Sequence, residues 1–130
     1  MTDRDEVMEK YRDQIEAHVS RTTNRHADSL ARLKLPFKGS NMYAEWKFPD
    51  LEEAAPVYVV YSYGEHFPMY IWEPLEDVWF NTTDDSTPST NKHRSAVYPG
   101  EHLSVDLDIM NSIIAYGIKH TMKEVLEGKL

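Results

Sequence analysis

Hydrophobic and polar side chains alternate along the middle of the chain with the two-residue period of β-strands. Between residues 42 and 48 apolar side chains alternate with Tyr, Glu and Lys, which predicts a half-buried strand. Residues 57–63 are apolar or aromatic on both faces, so they are predicted to form an inner strand. Residues 67–72 and 78–82 continue the pattern after short turns. The pattern therefore predicts four consecutive strands that pair as an antiparallel meander.

The chain ahead of these strands has the spacing of an amphipathic helix. Apolar side chains from Met8 to Val19 recur at three- and four-residue intervals, which predicts a helix over residues 3–20. The same spacing continues to Leu33, which leaves open a longer, kinked helix that Pro36 ends.

A second amphipathic helix is predicted near the end of the chain. Ser104 is placed to cap its N-terminus. Its apolar stripe is predicted to pack across the inner strand through Ile113, Ile114 and Ile118. Gly117 lies on this stripe and would let another part of the chain approach the helix closely.

These elements predict an α+β fold, a four-stranded antiparallel meander flanked by an N-terminal and a C-terminal helix. We expect a single domain over residues 1–130, since this length is ordinary for one domain. Within it, residues 1–35 form a helical segment, residues 37–100 the sheet and its loops, and residues 104–128 the C-terminal helix.

Composition limits which cellular compartment and which classes of partner are expected. The chain has no cysteine, and residues 1–6 are charged where a secretory signal would be apolar, so we expect a cytoplasmic protein. No apolar run approaches the roughly 20 residues that cross a bilayer, so no membrane partner is expected. The net charge of −8 argues against nucleic acid as a direct ligand, because phosphates are bound by Lys and Arg. It leaves room for a partner with a basic surface.

Polar side chains are concentrated in two segments that follow neighbouring strands. Residues 63–66 form a predicted hairpin turn, and residues 82–95 form a predicted loop rich in Ser and Thr. The loop is able to fold back toward the turn, where hydroxyl, imidazole and cationic groups would suit an anion such as phosphate. The candidate ligand- or partner-binding residues are Tyr63, Glu65, His66, Asn81, Asp84, Asp85, Thr90, Lys92 and His93. The competing interpretation is that these groups only satisfy the backbone of tight turns.

His93 has the most specific expectation of this set. An imidazole donates through one nitrogen and accepts through the other, so it is able to bridge two backbone segments. We therefore predict that His93 is buried and within hydrogen-bond reach of the turn at residues 63–66. The two acids, Asp84 and Asp85, are instead expected to contact a basic partner.

No catalytic residue, metal site or cofactor is predicted. Three His-x-Ser motifs begin at His18, His93 and His102, but their placement does not match the paired strands that two-histidine phosphodiesterases require. Histidine and acidic residues have no tight ligand spacing such as His-Glu-x-x-His. Tyr58 and Tyr70 are expected to face away from the helices, where they would form a protein-binding face.

The middle third of the chain resembles a known family. Residues 61–69 read Tyr-Ser-Tyr-Gly-Glu-His-Phe-Pro-Met, residues 79–81 read Trp-Phe-Asn, and residues 87–95 read Thr-Pro-Ser-Thr-Asn-Lys-His-Arg-Ser. This stretch resembles a small domain of unknown function that recurs in uncharacterised phage and prophage proteins. The family pattern has a Ser-Tyr-Gly turn, a Trp-x-Asn strand end and a loop ending in Thr-Thr-Ser-x-His. The resemblance implies a viral accessory protein and does not imply an activity.

We therefore expect a small phage-type accessory protein, not an enzyme, that binds a host protein or protein complex in the host cytoplasm. Such a source suggests an inhibitor of a host defence system, as anti-CRISPR proteins are. The alternative is a small phosphate-ligand or nucleotide-binding protein, or a phosphodiesterase, that uses the region of His66 and His93. A homodimer is compatible with both.

Overall fold

The computed structural model describes residues 1–62, 67–82 and 103–130. Its helices are α1 (Asp3–Lys10), α2 (Arg12–Glu16), α3 (Asn24–Arg32), α4 (Leu107–Tyr116) and α5 (Ile118–Leu126). Its strands are β1 (Ser20–Arg21), β2 (Phe37–Lys38), β3 (Met42–Lys47), β4 (Val57–Ser62), β5 (Phe67–Glu73), β6 (Val78–Thr82) and β7 (Leu103–Val105). The predicted turn at residues 63–66 and nearly all of the predicted loop lie outside the described residues. The expectation of a single domain stays a prediction.

The described strands form one seven-stranded mixed sheet in the order β1-β2-β3-β4-β5-β6-β7. Strands β2 to β6 pair antiparallel, whereas β1 pairs with β2 and β6 pairs with β7 in parallel. The predicted fold class, a four-stranded antiparallel meander, is therefore wrong. The four strands that the pattern located are β3 to β6, and β4 is an inner strand.

The three additional strands are too short to show an alternation of apolar and polar side chains. β1 and β2 contain two residues each, and β7 contains three. β1 is held to β2 by backbone hydrogen bonds, from Ser20 N–H to the Pro36 carbonyl at 3.2 Å and from Thr22 N–H to the Lys38 carbonyl at 3.1 Å. Because these bonds involve no side chain, alternation of side-chain types does not reveal them.

The predicted helices are interrupted. The N-terminal helix is divided at Tyr11 and ends before the extended backbone of Ala17, so the segment at residues 1–35 also contains β1. The C-terminal helix begins after Asp106, whose carboxylate accepts the Ile109 N–H at 3.0 Å, and not after Ser104. Gly117 then divides it into α4 and α5.

One face of the sheet packs against α3. Ala27 and Ala31 of this helix are fully or almost fully buried against Tyr58 and Tyr70. The Tyr58 hydroxyl donates to the Leu35 carbonyl at 2.6 Å, and burial raises the pKa of Tyr58. The expectation that Tyr58 and Tyr70 form an exposed protein-binding face is wrong, because the N-terminal part of the chain covers them.

The opposite face of the sheet packs against α4 and α5. Val57 and Val59 of β4 share a buried cluster with Ile113 and Ile118, but α4 contacts β5 and β6 more extensively than β4, so the predicted packing across the inner strand is not confirmed. Ile114 is only partly buried beside this cluster. The sheet is thus covered by helices on both faces, and a groove forms at the end where α4 meets α5.

Candidate functional site

Eight of the nine predicted binding residues lie outside the described residues. They are Tyr63, Glu65, His66, Asp84, Asp85, Thr90, Lys92 and His93. Their convergence, and the burial of His93, stay predictions. Asn81 is the member of the set that the structure describes.

Asn81 joins the last two strands of the sheet. It lies on β6, with Tyr70 of β5 and Ser104 of β7 as its register partners. The Ser104 hydroxyl donates to Asn81 Oδ1 at 2.6 Å. This contact gives Asn81 a structural role in aligning β6 with β7.

A groove at one end of the sheet is the candidate functional site among the described residues. It consists of two adjoining depressions of about 570 and 650 Å³, which share Leu75, Ile118 and Lys119. We call it the acid-rimmed groove. It is lined by Asp3, Asp50, Leu51, Glu52, Glu53, Ala54, Ala55, Leu75, Glu76, Tyr116, Ile118, Lys119, His120, Met122, Lys123, Leu126 and Glu127.

Arg4 holds the loop that forms one side of the groove. Its guanidinium donates to the carbonyls of Leu51 at 2.8 Å and Ala54 at 3.1 Å, and also to the Pro49 carbonyl. The Arg4 backbone N–H donates to the Glu53 carbonyl at 3.2 Å. A guanidinium has several donors in a fixed plane, so one side chain is able to hold three carbonyls of a loop that has no strand partner there.

Gly117 sets the position of α5, which forms the other side of the groove. Its φ of 91° and ψ of 168° lie in a backbone region open to glycine. A Cβ added there would lie 2.8 Å from the Cβ of Ala54, so the helix break packs directly on the loop. The Asp50 N–H donates to the Ala115 carbonyl at 2.7 Å across the same contact. The expectation that Gly117 allows a close approach is thus confirmed.

A hydroxyl pair fixes the start of α5. Thr121 is fully buried, and its Oγ1 donates to the Gly117 carbonyl at 2.8 Å. Ser112 Oγ lies 2.8 Å from the same Thr121 Oγ1, which links α4 to α5. These bonds fix the first turn of α5 and so keep Ile118, Lys119 and His120 in the lining of the groove.

A buried carboxylate shapes the turn below the groove. Glu73 is fully buried and accepts the backbone N–H groups of Leu75 at 2.6 Å and Glu76 at 2.7 Å. Burial raises the pKa of Glu73, while the two N–H bonds act in the opposite direction. The carboxylate fixes the turn that places Leu75 in the groove floor.

The groove combines an apolar floor with a mainly acidic rim. Leu75, Ile118 and Met122 form the floor, which continues to Leu126, a side chain that is 88% exposed. Six carboxylates line the groove, against two lysines and one histidine. Lys119 is already paired with Asp3 at 2.7 Å, and this contact raises the pKa of Lys119. The remaining charge therefore favours a basic occupant.

Sequence reasoning missed this groove. Residues 50–53 have neither a helical nor a strand period, and the apolar stripe of the C-terminal helix is predicted to pack on the sheet. The available signal was the run of acidic and small residues at 50–55, together with Gly117 in a helical stripe.

Comparison of the chain with protein-family models, with curated proteins and with solved structures found no match. Within residues 1–62, 67–82 and 103–130, no three His, Asp or Glu side chains are grouped so as to hold a metal ion. None of the helices in those ranges is long and apolar enough to cross a membrane. The candidate site therefore rests on the geometry of the groove alone.

Proposed function

We propose that this protein acts without catalysis, by binding a host macromolecule in the host cytoplasm, and that the acid-rimmed groove contacts that partner. The observation that supports the proposal is an apolar floor bordered by carboxylates that outnumber the amines three to one. The partner is then a host protein with a basic, partly apolar surface.

The two parts of the groove have different roles in binding. Burial of apolar area contributes roughly 25 cal/mol per Å², so the floor around Ile118 and Met122 supplies affinity. Charges on a rim mainly select the partner and speed association, and salt screens them. Glu52 and Glu53 are exposed and have no ion-pair partner within the described part of the chain, so they are free to take this role.

The proposed biological role is inhibition of a host defence system. The resemblance of residues 61–95 to a phage and prophage domain supports a role inside a host cell. A small acidic protein that covers a basic surface of a defence complex would block the nucleic acid that such a surface binds.

Capture from host lysate tests the proposal. Wild-type protein is compared with a groove variant, Glu52→Lys with Glu53→Lys, and with a control, Glu9→Lys with Glu16→Lys. The control makes the same change in net charge at exposed positions outside the groove. A partner that the wild type and the control retain, that the groove variant loses, and that added salt releases supports the proposal. Retention of the same partner by the groove variant refutes it.

The alternative, a phosphate-ligand or nucleotide-binding protein, stays a prediction. Among its candidate residues Asn81 is described, and the oxygen of its amide accepts the Ser104 hydroxyl. Measurement of the melting temperature with nucleotides and divalent metals tests this alternative, because a ligand that binds only the folded state raises the melting temperature.

A further inference from the structure

We infer that the acid-rimmed groove binds a second copy of this chain, whose basic edge enters it. The basic edge is the edge of the sheet formed by β1 and β2, together with the first turn of α3. Arg21 and Lys38 are its cations on one face of the sheet, and Arg25 is its cation on the face that α3 covers. The proposed host partner contacts the same groove and would compete with the second copy, so the test of self-association uses the purified protein alone.

The charge of the chain is divided between two surfaces. Residues 18–38 contain five Lys and Arg and a single acid, Asp28, and so carry +4 within a chain of net charge −8. Arg32 is paired with Asp28 at 3.0 Å, and the Lys34 amine lies 4.6 Å from the centre of the Trp72 ring. Arg21, Arg25 and Lys38 have no such partner within the described ranges, so they remain available to a second molecule.

The register of the sheet brings two of these cations together. Arg21 and Lys38 are directly paired between β1 and β2, and both are exposed. Arg25 is exposed in α3, two residues after its N-cap, Thr23. Val19, next to β1, is 60% exposed and offers an apolar side chain beside these charges. The edge thus has the composition that a floor of apolar residues with an acidic rim would bind.

The basic edge of one molecule is too far from the groove of the same molecule to enter it. Lys38 pairs with Tyr43 near the start of β3, whereas the loop of the groove follows Lys47 at the other end of that strand. Four residues of antiparallel strand span about 14 Å. This exceeds the reach of an arginine side chain, so the basic edge meets a groove only on another molecule.

A two-fold pair satisfies both surfaces at once. In such a pair each copy places its basic edge in the groove of the other, which gives two equivalent contacts related by symmetry. After the first contact forms, the second is intramolecular and gains from the high effective concentration. We therefore expect a dimer whose dissociation constant rises with salt.

Reciprocal charge reversal tests the pairing. The groove variant is Glu52→Lys with Glu53→Lys, and the edge variant is Arg21→Glu with Arg25→Glu. Sedimentation velocity should show that each variant alone dimerises at least about 10-fold more weakly than the wild type. An equimolar mixture of the two should form a heterodimer, because the edge of each then complements the groove of the other. Restoration in the mixture is an outcome that general loss of stability would not produce.

The control is Glu9→Lys with Glu16→Lys, which should dimerise as the wild type does at equal ionic strength. Circular dichroism establishes that each variant is folded. Where a reversed variant does not fold, Glu52→Gln with Glu53→Gln and Arg21→Gln with Arg25→Gln replace it, and both should weaken the dimer and reduce its salt dependence. A wild type that stays monomeric up to about 1 mM, a reversed variant that dimerises unchanged, or a mixture of folded variants that stays monomeric overturns the inference.

Discussion

The contact between Gly117 and Ala54 determines where α5 lies, and a pair of substitutions measures it. Gly117→Ala places a methyl group where the Cβ would be 2.8 Å from the Cβ of Ala54. It also puts a non-glycine residue at φ 91°. Ala54→Gly removes the opposing methyl and leaves the backbone of Gly117 as it is. The two effects of Gly117→Ala, strain and overlap, are therefore separable.

The expected loss in the free energy of unfolding of Gly117→Ala is the sum of the strain and the overlap, reduced by a favourable effect on the unfolded chain. The backbone strain costs about 1–3 kcal/mol, and the overlap adds about 1–3 kcal/mol, as overpacking does. Replacement of glycine also reduces the entropy of the unfolded chain, which returns about 0.4–1 kcal/mol. The free energy of unfolding should thus fall by about 1–5.5 kcal/mol. In the Ala54→Gly background the same substitution should cost about 1–3 kcal/mol less, because only the strain remains.

Urea denaturation of the four proteins in this double-mutant cycle gives both numbers. The coupling energy between positions 54 and 117 reports the overlap directly. A coupling below about 0.5 kcal/mol, the usual scatter for independent sites, would refute the close approach of the helix break to the loop. A cost of Gly117→Ala below about 1 kcal/mol would refute the backbone strain as well.

Three further predictions concern the groove and the core beneath it. Arg4→Met keeps the apolar stem and removes the donors to three loop carbonyls, so it should lower the free energy of unfolding, measured in urea, by about 2–4 kcal/mol. An unchanged free energy of unfolding would mean that the guanidinium does not hold the loop. Burial raises the pKa of Glu73 above its usual 4.5, so its contribution to stability is complete below that pH and is lost as the pH rises through the folded-state pKa. In Glu73→Gln the free energy of unfolding, measured in urea between pH 4.5 and the folded-state pKa of Glu73, should therefore no longer fall with pH on account of this group. An identical pH profile in the variant and the wild type would contradict a raised pKa of Glu73. Ile113→Ala should cost about 2–5 kcal/mol and Ile114→Ala clearly less, because Ile113 is fully buried and Ile114 is partly exposed; equal losses in urea would place the helix differently.

Part of the fold could be predicted from local patterns. The two-residue period located β3 to β6, and two apolar faces identified β4 as an inner strand, because a strand in a sheet covered on both sides has no polar face. A glycine in a helical stripe indicated a close approach at position 117. Each of these inferences depends on residues that are near one another in the sequence.

The rest depended on contacts between distant segments. β1 and β2 are strands because their backbones pair, and Tyr58 is buried because it shares a core cluster with α3, although neither relation changes the local pattern. The acid-rimmed groove brings together residues near positions 3, 50–55, 75 and 116–127. The sequence by itself determined which segments alternate and which positions admit a close approach. Only the tertiary structure decided that an acidic loop, a turn held by a buried carboxylate and a broken helix share one surface, because a cavity is a property of how elements pack and not of any single element.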